Sequence, residues 1–256
     1  RDADAMDGFL KRLASAHREH DLPVTLFCTG GVLEAREGAF RAFREETAGD
    51  ARFEIGDHSY SHVGVGYESG RPVAELRADY ERSLAAHERV LGVRPDSLSL
   101  CGTGGADGPR LPGFDATPKA REELAMLAGL GFRRVNAFLS GLDESREFTD
   151  YAALGFPDVV GFPSGFSDTN WLWRADKDGD FLAPLRDEID RRADSPGGDA
   201  AMPVILHDWV AYNHAPDRAL THVLRLADHA RSRGFEPRTL GDAARAWREE
   251  RNQTTA

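Results

Sequence analysis

The chain has 256 residues and 41% apolar content, enough for one large hydrophobic core and within the usual length of a single α/β barrel. Its net charge is −11 and its only lysines are Lys11, Lys119 and Lys177, so the positive charge is nearly all arginine, interleaved with acids along predicted helices. That balance argues against a nucleic-acid partner, which is held by clustered basic residues, and no run approaches the roughly 18 apolar residues of a membrane-spanning helix.

Helical periodicity over 5–20 leads into an apolar strand over 23–28, and a helix over 33–47 precedes a strand over 52–56. A helix over 73–91 is followed by a strand over 97–101, and a helix over 118–130 by a strand over 133–138. Further along come a strand over 158–162, a helix over 181–193, a strand over 203–207 and a helix over 216–233. A weaker strand over 235–238 and a last helix over 240–251 precede the polar tail 252–256. Strands alternating with amphipathic helices imply a parallel sheet with crossover helices, and seven such strands fit a barrel in a single domain spanning 1–251. The protein is expected to be soluble. A first residue of Arg1 fits either a cytoplasmic protein or one secreted after removal of an upstream segment.

Barrels of this kind carry their chemistry where strands end and loops begin. Five such places hold polar or glycine-rich residues: CTGG after 27, GDHSYSH after Ile55, CGTGGADG after Leu100, GFSDTNW after 164 and HDW after Leu206. His58 and His62, four residues apart on a turn just past a strand, lie on one face and suit a single divalent metal. Surface or core histidines are the plainer account of a lone pair, but the strand-end position favours ligation, with Asp57 or Ser59 available to orient the first imidazole. His207 closes the run PVIL and suits proton transfer, because imidazoles titrate near neutral pH, while a buried histidine bonded to a backbone carbonyl is an equal account of this residue alone. His214 reads as structural, and His17, His20, His87, His222 and His229 as surface or packing residues of helices.

Other motifs read plainly. Cys28 and Cys101 are too few for a disulfide scaffold or a thiolate zinc site and follow apolar runs, as small buried hydrophobes do. DKDGD has its glycine misplaced for a calcium loop. CGTGGADGPRLPG has no lysine for a phosphate loop, so its glycines are expected to let backbone approach a ligand closely.

Together these residues resemble the polysaccharide deacetylase family, the NodB-homology fold of carbohydrate esterase family four. LPVTLFCTGG is similar to the family's second strand, EIGDHSYSH to its His-Ser/Thr-x-x-His metal motif, VAELRADYERSLAAHERVLGVRP to the following helix and turn, and VILHDW to the late Leu-His motif. The resemblance implies a distorted (β/α)7-type barrel, a divalent metal, zinc by preference, on His58 and His62, and His207 as catalytic acid. It calls for two aspartates ahead of these motifs, for which Asp2 as base and Asp4 as third metal ligand are the candidates in this chain; an equally good reading puts them, with a first strand, upstream of Arg1. Capping of the first helix by these acids is the competing reading. The family's Arg-x-Pro-x-Gly motif is replaced by CGTGG, with Arg110 as a conceivable substitute for the arginine. Gly102 and Gly104 are expected to offer backbone N–H groups to an oxyanion. Asp168 and Trp171 loosely represent a tryptophan-bearing motif, and Trp171 is expected to stack on a sugar ring. The implied activity is hydrolysis of an acetamide or acetyl ester on a carbohydrate. A related C–N hydrolase acting on a small amide or cyclic ureide and a non-catalytic carbohydrate-binding relative are the alternatives.

Overall fold

The computed structural model describes residues 3–63, 71–101, 114, 117–136, 148–162, 166–167, 183–194, 202–208 and 220–254, with backbone alone at 3–5, 166–167, 222 and 254. Strands β1 (Val24–Cys28), β2 (Phe53–Asp57), β3 (Ser97–Leu98), β4 (Arg134–Asn136), β5 (Thr149–Asp150) and β6 (Val160–Phe162) form a six-stranded sheet in the order β1-β2-β3-β4-β6-β5. Neighbours run parallel except β5 and β6, which are antiparallel. A second pair, β7 (Phe166–Ser167) and β8 (Val204–Ile205), is parallel and separate. The helices are α1 (Ala3–Glu19), α2 (Gly30–Ala35), α3 (Glu37–Glu46), α4 (Val73–Leu91), α5 (Pro118–Leu130), α6 (Ala183–Ala193), α7 (Thr221–Ser232) and α8 (Leu240–Thr254).

Parallel neighbours need crossover helices, and α3, α4 and α5 supply them for the first four strands. Their ends follow local chemistry. Thr117 accepts a hydrogen bond from the Ala120 N–H (3.1 Å) with Pro118 behind it, while Gly92 (φ 63°) and Gly131 (φ 103°) close α4 and α5 in the left-handed region. Along α4 the buried positions Leu76, Tyr80, Ser83, Leu84, His87, Val90 and Leu91 follow helical spacing, so one stripe faces the sheet. Leu98, Leu100 and Val135 pack there with α5 residues Leu124 and Leu127. On β1 and β2 the corresponding face meets Phe9, Leu13, Phe40 and Phe43 of α1 and α3.

The sheet's other face is polar near β1–β4. Glu54 accepts hydrogen bonds from Thr25 (3.0 Å), Ser97 (2.6 Å) and the Gly241 N–H (2.7 Å), and Thr25 accepts one from the Leu240 N–H (2.8 Å). A carboxylate thus meets the positive end of α8, an arrangement the helix dipole favours. Ala244, with Leu240, Ala243 and Trp247, then packs on Phe27, Phe148, Val160 and Phe162. Among the described residues the sheet does not close, and α8 covers part of this face: a distorted barrel.

Four details depart from the sequence reading. The helix expected over 33–47 starts at Gly30 and breaks at Arg36 (φ −130°, ψ 32°). Segment 235–238 is not a strand; Phe235 packs against the cluster of Leu185, Ile189 and Leu226 instead. The two-residue strands β5 and β7 are too short to show a period, and the last helix runs on through Thr254.

His17 illustrates how a helical histidine serves packing. It is 3% exposed, its Nδ1 lies 2.7 Å from the Leu22 carbonyl, and the Leu22 N–H returns a bond to the His17 carbonyl (2.8 Å) across a turn whose Asp21 has φ 46°. Burial, the larger influence, pushes its pKa below the ordinary imidazole value of 6.5 against the Leu22 carbonyl, which raises it. The unfolded chain therefore binds more protons just below pH 6.5, so this contribution to stability is present at neutral pH and is lost as pH falls from 6.5 through the lowered folded value. Urea midpoints at pH 7.5 and 5.5 should separate less in His17→Gln than in the wild type; equal separations would contradict the assignment.

Candidate metal centre at the strand ends

Strand β2 ends at Asp57, and the chain then turns through Ser59 (φ 61°) and His62 (φ 58°), both in the left-handed region that non-glycine residues seldom occupy. The surroundings hold that turn. Asp57 Oδ1 accepts from the Ser59 N–H (2.7 Å) and Ser59 Oγ from the Val63 N–H (2.9 Å). Asp79 accepts from the Tyr60 N–H (2.8 Å) and the Ser61 hydroxyl (2.5 Å). The Tyr60 hydroxyl donates to Glu34 (2.7 Å), and the Arg82 guanidinium lies 3.6 Å over its ring. Behind the turn, the Gly30 and Gly31 N–H groups at the start of α2 donate to the Ser59 and Tyr60 carbonyls at 2.9 and 3.0 Å.

That approach requires glycine. A Cβ on Gly30 would sit 2.8 Å from Ser83 Cα and 2.9 Å from the Tyr60 ring, and the first of these is backbone that cannot rotate aside. Gly30→Ala is expected to cost about 1–3 kcal/mol, as overpacking of a close contact does. An unchanged urea midpoint would contradict the contact.

The turn brings the two imidazoles together, with ring centroids 4.9 Å apart and planes at 77°. His58 Nδ1 lies 2.7 Å from the Ser99 carbonyl, so Nδ1 carries the proton it donates there and Nε2 keeps its lone pair for a ligand. Burial pushes the His58 pKa down to about 4; the Ser99 carbonyl opposes this, and the charges of His62 and His207 add to it. The imidazole is therefore neutral at pH 7, the form that binds metal.

A third donor is present. The ligand atoms of His58, His62 and Cys101 all lie within 4.8 Å of one another, with His62 exposed and Cys101 buried. Cys101 Sγ donates to the His58 carbonyl (3.2 Å) and sits 3.4 Å from Ser59 Oγ. Burial pushes this thiol up to about 12, so without a metal it is protonated. Asn136 Oδ1 accepts from the Leu100 N–H (2.5 Å) and ties the end of β4 to this segment.

Asp57 and Ser59 act one step behind the imidazoles, on the backbone of the turn, while the Ser99 carbonyl orients the His58 ring. Asp57 is fully buried. It accepts from the Ser83 hydroxyl (2.6 Å) and lies 3.3 Å from His87 Nδ1, which also meets the Ser83 carbonyl (2.9 Å). Burial raises its pKa against the lowering influence of His87, Ser83 and the Ser59 N–H. His87, expected as a surface or packing residue, is a buried part of this anchor on α4. Neither the Ser99 carbonyl nor the Asp57–Ser83–His87 cluster has a local sequence signature, since each joins segments far apart in the chain.

The remaining candidates divide simply. Asp2, Gly102, Gly104, Arg110, Asp168, Trp171 and His214 lie outside the described residues. Asp4 lies in the first turn of α1, where an acid suits the helix dipole.

No family model matches the chain, and no curated protein sequence does. Solved structures do. A carbohydrate esterase family 4 pseudoenzyme from Bacillus anthracis superposes with a TM-score of 0.55 at 11% identity over 93% of this chain and 60% of that one. The chain thus spans about 60% of that protein's length. A candidate polysaccharide deacetylase from Mycobacterium smegmatis gives a TM-score of 0.60 at 18% identity over 93% and 82% of the two chains. An allantoinase gives 0.63 at 20% over 93% and 72%. The chain has the fold these proteins share, the distorted barrel of the polysaccharide deacetylases.

Proposed function

We propose that this chain, built on the deacetylase barrel, is a metal-dependent hydrolase that removes an acyl group, N-acetyl or O-acetyl, from a carbohydrate. The observation that supports the reading is the gathering of His58, with its Nδ1 held by the Ser99 carbonyl, His62 and Cys101, whose donor atoms lie within 4.8 Å of one another past the end of β2. Two imidazoles and a sulfur within 4.8 Å fit a divalent cation of borderline softness, zinc in the first place. When bound, such a cation supplies Lewis acidity to the acyl group and to water.

The chain's own residues supply the rest. The Ser99 carbonyl holds the His58 ring in the tautomer that leaves Nε2 available. His207 delivers the proton to the nitrogen or oxygen that departs from the acyl carbon. Asp2 is this chain's candidate for removing the water's proton, and Asp4 for a further ligand. Backbone N–H groups at Gly102 and Gly104 would receive the charge that develops on the acyl oxygen, with Asp168 and Trp171 orienting the sugar.

A second reading has its own support. CGTGG stands where deacetylases carry an arginine motif, and an allantoinase shares the fold, which favours a C–N hydrolase of small amides or cyclic ureides. Full-length protein loaded with zinc should release acetate from acetylated sugars in a panel that also holds small amides and ureides, and chelation should stop it. Turnover of ureides alone transfers the assignment to the second reading. Metal binding without turnover of any member supports a non-catalytic carbohydrate binder.

A further inference from the structure

We infer that Cys101 is a protein ligand of this metal, giving a two-histidine, one-thiolate set; the inference rests on the proposed metal-dependent reading. Cys101 ends the segment that follows β3, beside the turn that carries His58 and His62, and its sulfur lies within 4.8 Å of a donor atom of each imidazole. There the sulfur meets the His58 carbonyl and the Ser59 hydroxyl, polar partners rather than the aliphatic packing of a structural cysteine.

The distances fit. Three atoms no more than 4.8 Å apart share a centre within about 2.8 Å of each, at most about 0.5 Å beyond a zinc–sulfur bond and about 0.8 Å beyond a zinc–nitrogen bond. Side-chain adjustment of that size is within reach of His62, which is exposed. Binding exchanges the S–H bond for a sulfur–metal bond and releases one proton to solvent, with no change of oxidation state. The thiolate also sets metal preference: zinc, cobalt and cadmium over magnesium and manganese. No carboxylate from the start of the chain is then needed to complete a three-ligand site with an open position, the arrangement of catalytic zinc.

The test uses the full chain and reads the metal's ligands rather than turnover. Cobalt-loaded wild type should show a thiolate-to-cobalt charge-transfer band in the near ultraviolet, and X-ray absorption of the zinc form should show one sulfur at about 2.3 Å. Cys101→Ser, close to isosteric, should lose the band and bind zinc at least about tenfold more weakly while His58 and His62 still hold some metal. Stoichiometric metal with only nitrogen and oxygen neighbours in the wild type would overturn the inference and leave the metal-dependent reading standing. No stoichiometric metal at all would overturn both.

Discussion

Replacing His58 and His62 together by alanine is expected to abolish stoichiometric zinc binding, with a loss in affinity beyond the roughly 10–100-fold that outer residues of a metal site contribute. The fold should survive. His62 is exposed, and His58 gives up one hydrogen bond to the Ser99 carbonyl, worth about 1 kcal/mol. A separate His62→Asn variant distinguishes metal loss from backbone strain, because asparagine tolerates the left-handed conformation at φ 58° better than alanine does. Metal analysis after loading and dialysis, together with a urea midpoint, reads both quantities. A double variant that still holds one equivalent of zinc would remove the two histidines from the site.

His207→Asn is expected to lower turnover about 100-fold or more while zinc content stays at the wild-type level, the usual size of a general-acid contribution. The expectation rests on position. His207 follows β8 at the end of the run PVIL, where the family resemblance implies the catalytic histidine, and it is not one of the gathered donors His58, His62 and Cys101. Substrates with a good leaving group need less protonation, so the defect should shrink for an activated acetyl ester. A variant with unchanged turnover on an acetylated sugar, or one that loses its metal, would show that His207 does something else.

What could be read from sequence was what local pattern encodes. The alternation of strand and helix, the apolar stripe of α4 and the spacing of His58 and His62 are all set within a few residues of one another, and the structure shows each of them. Long-range polar contacts were not legible. Ser99 contributes to the site through its backbone carbonyl, which any residue carries, from 41 positions away. Cys101 follows an apolar run, as buried hydrophobes do, and its second neighbour set, the two imidazoles, exists only once β2 and β3 are side by side. Likewise Ser83 and His87 read as interruptions of an apolar stripe until Asp57 is placed against them. The break at Arg36 falls two residues ahead of Gly38, a lone glycine that does not by itself interrupt the periodic run over 33–47, and Gly30 and Gly31 open α2 beneath the turn that carries His58 and His62.

The measurement that bears on the whole proposal is anomalous diffraction at the zinc edge from crystals of the full chain grown with one equivalent of zinc. One anomalous peak is expected within about 2.0–2.1 Å of His58 Nε2 and of a ring nitrogen of His62, with His207 facing it across the space a substrate would fill. Zinc bound elsewhere, or His58 turned so that Nε2 rather than Nδ1 meets the Ser99 carbonyl, would contradict it.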